Sequence, residues 1–328
     1  MSAPLVGLGL LVALVGVSVV AGRQGVSPRV AAGAYAVSLL GWGLIPVVWL
    51  ACLGGSLGSA LAGARTSDGG CPLGLDHLQW QLLGFVPAAV VLGVLVARWS
   101  RGAVAARRAE MRGGTLDSAV RRPTRNGEVW VIPSSKPVAF AAGLWRPRAV
   151  VSSGLLAPLG KHERRAVCEH EAAHVRLGHP RLLLFCGAVA ASYGRLGPVR
   201  QAWGGLRREL EAAADDEAAS VVGSEVLVSA LMQVALMASV SPRATAASFG
   251  DPEHLRYRLA RLGNGDTVAT GPTVAAGLSA AVASSAMAAV ACLLAGAPAT
   301  LLGVAACLGP IAVFGLRPTW AWRRTRRR

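Results

Sequence analysis

Residues 168–174 read Cys168-Glu169-His170-Glu171-Ala172-Ala173-His174, inside a run, residues 161–177, that has neither Gly nor Pro and stops at Gly178 and Pro180. That run with that exit predicts a helix. In a helix, positions i and i+4 share a face about 6 Å apart, so both imidazoles reach one cation. Neutral imidazole is a good zinc ligand. Glu171 stands one residue further round, placed to act on a water at the same site without ligating.

A catalytic zinc site normally uses three protein ligands and keeps one position open. A third histidine on the same segment would follow Gly at 177 and sit at 180, but the chain has Leu177 and Pro180, so the third ligand comes from elsewhere. A second helix is expected over about Leu206 to Val222, closed by Gly223. It offers Glu209, Glu211, Asp215, Asp216 and Glu217. Glu211 and Asp215 are also spaced i, i+4, so one can bind metal while the other supports a ligand from behind. Asp216 and Glu217 read as a solvated face. His179 follows His174 by five residues, which on a continuing helix turns it off the ligand face by about 140°. It reads as a structural residue hydrogen-bonding near the site. Cys168 and Cys186 read as packing residues.

Residues 104–266 hold these signals and are the one stretch polar enough to fold in water, roughly a domain's worth. Short β-prone runs, Val129–Ile132, Val138–Ala141 and Ala149–Val151, are punctuated by Pro133, Pro137, Gly143 and Pro147, and predict a small hairpin-rich sheet. Further helices are expected over Val226–Ala238 and from the N-cap Asp251 and Pro252 to Gly263. The apolar run Leu182–Gly194 is too short to cross a bilayer, and reads either as a core helix or as a segment dipping into the membrane surface.

Outside this domain the composition changes the class of protein. The 328 residues are 53% hydrophobic and only 15% charged, with a mean hydropathy of +0.48, against about 25% charged for an ordinary soluble domain. Residues 1–22, 30–64, 78–97 and 267–316 carry no charge. With roughly 20 apolar residues needed per span, they predict five spans, at about 3–22, 31–53, 78–97, 273–295 and 298–316. The first, without a basic leading segment, reads as an uncleaved span. The net charge of +16 is almost wholly arginine, clustered between the runs, which fits cytoplasmic flanks of spans better than nucleic acid. No direct nucleic-acid binding is expected. Arg23 and Arg29 follow span one, and five arginines from Arg98 to Arg112 follow span three. Six more, from Arg317 to Arg328, follow span five, whereas Arg65 after span two is offset by Asp68 and Asp76. The counts put the N-terminus and residues 65–76 outside, and residues 104–266 and the C-terminus in the cytoplasm.

The stretch from Phe140 to Pro180, with Arg208 to Ala219, resembles the BlaR/MecR family of integral-membrane zinc metallopeptidases and, more distantly, the HtpX-like membrane proteases. The matching pieces are Val138–Gly143, Ala149–Leu156, Glu169–His174 with His179-Pro180, and Arg208–Asp215. The resemblance implies that His170, His174 and Glu211 bind Zn2+, that Glu171 is the catalytic base, and that Asp215 supports a ligand. It implies a multi-pass α-helical membrane protein with an α+β, mainly helical, zincin-like metallopeptidase domain facing the cytoplasm. The partners expected are the lipid bilayer and a protein or peptide substrate, here a cytoplasmic transcriptional repressor. The β-lactam sensors of that family carry an extracellular penicillin-binding domain after the last span. This chain ends in a basic tail and has no Ser-x-x-Lys outside the membrane, so it is not expected to sense a β-lactam in that way. Two rival readings remain at this level: an HtpX-like quality-control protease, and a non-catalytic signalling scaffold, against which the intact Glu171 argues.

Overall fold

The computed structural model describes residues 26–63, 79, 82, 85–111, 118–240 and 252–263. The expected spans one, four and five, the outer loop with Cys71, the cap Asp251 and the basic tail lie outside the described residues. The chain divides into two compact units, one of residues 1–13, 41–93 and 279–328, the other of residues 14–40 and 94–278.

Two long helices precede the polar domain in the chain. Helix α1, Pro28–Gly63, is longer than the span expected at 31–53. Helix α2, Val86–Met111, overlaps the span expected at 78–97 and carries its helix on through the arginine-rich segment. Windows of 24 residues in α1 (Pro28–Ala51) and 20 in α2 (Val86–Ala105) are long and apolar enough to cross a membrane. In the first unit, Gly55 of α1 faces Phe85, leaving space only for a contact at 3.4 Å if a Cβ were added.

The second unit contains the polar domain. Strands β1 (Val120–Thr124), β2 (Gly127–Ile132), β3 (Ala139–Ala142) and β4 (Arg148–Ser152) form one sheet in the order β1-β2-β4-β3. β1 and β2 make an antiparallel hairpin, β2 and β4 run parallel, and β3 pairs antiparallel with β4 at the edge. The sheet is therefore mixed rather than a run of hairpins. One face, with Val129, Val151, Ala149 and Ala139 all buried, enters the core. On the other face Trp130 is flanked by the guanidinium groups of Arg121 and Arg148, 4.4 and 4.5 Å from its ring centre. Ser152 ends β4 and caps the single turn α3 (Ser153–Leu156), its Oγ accepting from the N–H groups of Leu155 and Val138.

Five helices follow: α4 (Lys161–Arg176), α5 (His179–Tyr193), α6 (Gly197–Val222), α7 (Ser224–Val240) and α8 (Pro252–Gly263). The sheet, α6 and α7 all pack on α4, so Ala166 to His174 are buried without a break. Small residues on both partners, Ala172 and Ala173 on α4 and Ala212 to Ala214 on α6, are fully packed, which keeps the two backbones close. The Leu182–Gly194 run lies in α5, where Cys186 and Val189 are buried and Phe185 stacks on Trp99 of α2 at 5.5 Å. The N-terminal part of α1 lies on α6, where Gly205 has no room for a Cβ beneath the Tyr35 ring, and Arg29 pairs with Glu217.

Candidate metal centre

A helix buried on every side must find a partner for each polar group it carries, because an unpaired buried polar atom costs free energy. Helix α4 buries Glu169, His170, Glu171 and His174. Glu169 turns to the sheet, where its two oxygens accept the backbone N–H groups of Arg125 and Asn126 at 2.9 and 3.0 Å. That contact pins the β1–β2 turn to the metal-bearing helix. The two histidines turn the other way, to α6.

His170 Nε2 and His174 Nε2 lie 3.1 Å apart. Glu211 of α6 completes a triangle, with Oε2 3.5 Å from His170 Nε2 and Oε1 3.6 Å from His174 Nε2. Donors bound at about 2.0–2.2 Å in a tetrahedron stand roughly 3.4 Å from one another, so the three fit a single small cation. His170, His174 and Glu211 are the group of potential metal ligands found together among the described residues.

The far nitrogen of each ring is also held. His170 Nδ1 lies 3.0 Å from Asp215 Oδ1, within reach for the ring N–H to donate to the carboxylate. His174 Nδ1 is 2.8 Å from His179 Nδ1. For Nε2 of His174 to keep its lone pair toward the cluster, Nδ1 carries the proton and donates it to His179. His179 thus hydrogen-bonds at the site as expected, but it arrives by a turn and not along a continuing helix, and the cause is local. Helix α4 ends at Arg176, and Gly178, at φ 75°, turns the chain through the left-handed region so that α5 begins at His179. The residue returns beneath His174 and supports it.

The electrostatics agree with a cation site. Burial disfavours charge on His170, yet Asp215 and Glu211 outweigh it and raise its pKa to about 9. Burial lowers His174 to about 4 and takes His179 well below the ordinary histidine value. Despite burial, the neighbouring histidines and Arg258 hold Glu211 far below the usual carboxylate range, and Asp215 is lowered, chiefly by Arg258. Glu171 is different. It is 3% exposed, and burial pushes it up to about 7, where a carboxylate can both accept and return a proton near neutral pH.

Of the other acidic residues of α6, Glu209 accepts from Arg208 and from the Tyr257 hydroxyl. Asp216 pairs with Arg261, and Glu217 with Arg29 and Arg176. Asp216 and Glu217 are thus ion-paired rather than a bare solvated face. Cys168 and Cys186 are buried free thiols. Arg258, which meets both Asp215 and Glu211, was not foreseen in the sequence; no spacing links it to the motif, 43 residues beyond Asp215.

Residues 105–285, more than half of the chain, match the sequence pattern of peptidase family M48. The chain belongs to peptidase family M48. The M48 match covers the whole of the described site and runs past Asp266 into the last charge-free stretch. M48 peptidases are metal-dependent, and the protein is accordingly a metallopeptidase of a zincin-type membrane family. No curated protein and no solved structure matches the chain.

Proposed function

We propose that this M48 protein is a multi-pass membrane zinc endopeptidase whose catalytic domain works on the cytoplasmic side. The observation that carries the reading is the convergence of His170, His174 and Glu211 around one point, with buried Glu171 beside them on α4. A zinc ion held by those three residues would lower the pKa of a water toward about 7 and polarise the scissile carbonyl. Glu171 takes the proton of the attacking water and delivers it to the leaving amine. Its burial, with a carboxylate raised to about 7, matches it to both halves of that task. Asp215 and His179 hold the two imidazoles so that their Nε2 atoms face the same point. β3 is an edge strand, and its free side can pair with a substrate in extended form.

For the substrate, the BlaR/MecR resemblance favours a cytoplasmic repressor, whereas the M48 match serves an HtpX-like role on misfolded membrane proteins equally well. Purified full-length protein incubated with a winged-helix repressor encoded beside it should yield a defined cleavage in the first case. In the second, only unfolded membrane substrates are cut.

The test of the site itself is metal analysis beside proteolysis. Wild type should carry about one zinc per chain. His170→Ala, His174→Ala and Glu211→Ala should lose it, and Glu171→Gln should keep the zinc while proteolysis falls by two or more orders of magnitude. Full zinc in Glu211→Ala would remove the third ligand, and proteolysis intact in Glu171→Gln would remove the base.

A further inference from the structure

Helix α8 meets α6 through three side chains. Tyr257 donates its hydroxyl to the carboxylate of Glu209 at 3.1 and 3.2 Å. Arg261 Nη2 donates to both oxygens of Asp216 at 2.5 and 2.6 Å. Between them, Arg258 reaches inward. It is 2% exposed, and a guanidinium buried to that degree persists only where its donors are paired. Nε donates to Asp215 Oδ2 and Nη2 to Asp215 Oδ1, each at 2.7 Å, a two-point fork. Nη1 lies 3.2 Å from Glu211 Oε2.

The two carboxylates on this fork have different parts in the site. Glu211 belongs to the ligand triangle. Asp215 stands behind it, and its Oδ1 is the atom shared between Arg258 Nη2 and His170 Nδ1. One rigid planar group therefore restrains a ligand carboxylate directly and a ligand imidazole through one intermediate. A lysine in the same place, a compact point charge, would lack the planar two-point fork that fixes Asp215 while a third nitrogen meets Glu211.

We propose that Arg258 is a positioning residue of the metal centre, orienting Glu211 directly and His170 through Asp215 so that their donor atoms converge on one cation. The inference rests on the metallopeptidase reading of the site. It differs from a simple docking role for α8, because docking is shared with Tyr257 and Arg261, whereas of these three it is Arg258 that meets Glu211 and Asp215.

The test uses the full-length protein, with zinc affinity measured by chelator competition and the visible spectrum of the cobalt-substituted form recorded alongside. Arg258→Met and Arg258→Lys should each bind zinc roughly 10- to 100-fold more weakly, the range seen when a ligand loses its supporting partner. Their cobalt spectra should depart from that of wild type. Arg261→Gln, which removes the neighbouring clamp on the same helix, should keep wild-type affinity and spectrum. Should Arg258→Met fail to fold by circular dichroism, Arg258→Lys, which keeps the buried charge, carries the measurement. Wild-type affinity and spectrum in Arg258→Lys would overturn the proposal, as would an equal loss in Arg261→Gln. Metal-free wild type, or undiminished metal in His170→Ala, would instead defeat the metallopeptidase reading on which it stands.

Discussion

Asp215 and Asp216 are adjacent on α6 and face different partners. Asp215 is 1% exposed and is shared between Arg258 and His170, whereas Asp216 is only part-buried and paired to Arg261. Asp215→Ala should therefore weaken zinc binding roughly 10- to 100-fold. Asp216→Ala removes a part-buried ion pair to Arg261 that makes no contact with the ligand triangle, and should bind zinc as wild type does. Equal behaviour of the two variants in a chelator competition would mean that the contact with His170 does not act on the metal. Much of this was legible in the sequence, because the i, i+4 rule relates Glu211 to Asp215 as it relates His170 to His174. The spacing alone did not say which of the two carboxylates faces the histidines and which stands behind. That depends on how α6 is rotated against α4, a matter of packing. Arg258 was hidden for a similar reason, since it comes from a helix distant in the chain. His179 does hydrogen-bond at the site as its reading expected, but it reaches His174 through a left-handed turn at Gly178 that interrupts the helical period.

Among the secondary-structure elements, the helices followed from the sequence most directly. The uninterrupted run 161–177 became α4 at Lys161–Arg176, and the pairs Gly223 and Pro252 with Gly263 marked real ends. Helix α6 begins at Gly197, well before the expected Leu206, and runs through Gly204 and Gly205, the latter packed closely under Tyr35. Strand β1 escaped notice because Val120–Thr124 is almost wholly exposed and so has no apolar alternation. The one signal for it was Asn126-Gly127, a dipeptide typical of hairpin turns. That turn is held by Glu169, and the contact makes an element-scale prediction. Glu169→Ala would leave the Arg125 and Asn126 N–H groups without their acceptor, Asn126 being buried. A cost of about 1–3 kcal/mol, at roughly 2–4 °C per kcal/mol in a domain of this size, lowers Tm by about 2–12 °C. Zinc stoichiometry should hold, because His170 is oriented from α6 and not from the sheet. An unchanged Tm would show that the hairpin is held to α4 by apolar packing alone.

At the scale of the whole molecule, the membrane topology is the property that sequence patterning addresses and packing within the domain does not. Along α2, Val86, Val90, Val94 and Val96 are all exposed, and 6% of its apolar window is buried. Water is a poor solvent for such a surface, and hydrocarbon a good one. On the arginine counts, the proposed topology has the metallopeptidase domain inside and residues 65–76 outside. Native cysteines test only half of this. Cys71 falls in the outer stretch, but Cys168 would be spared by an alkylating reagent on either side of the membrane. It is buried, and burial pushes its thiol up to about 11. A raised thiol pKa means less thiolate at a given pH: about 0.1% at pH 8, against roughly a quarter for an unperturbed cysteine near 8.5. The reporter for the inner side must instead be an exposed position such as Trp145, 71% accessible between β3 and β4. In intact cells under mild reductant, an impermeant maleimide should label Cys71 and leave Trp145→Cys unmodified. After permeabilisation Trp145→Cys should label fully, and Cys168 should still react slowly. Labelling of Trp145→Cys before permeabilisation would place the metal centre outside the cell and exclude a cytoplasmic substrate.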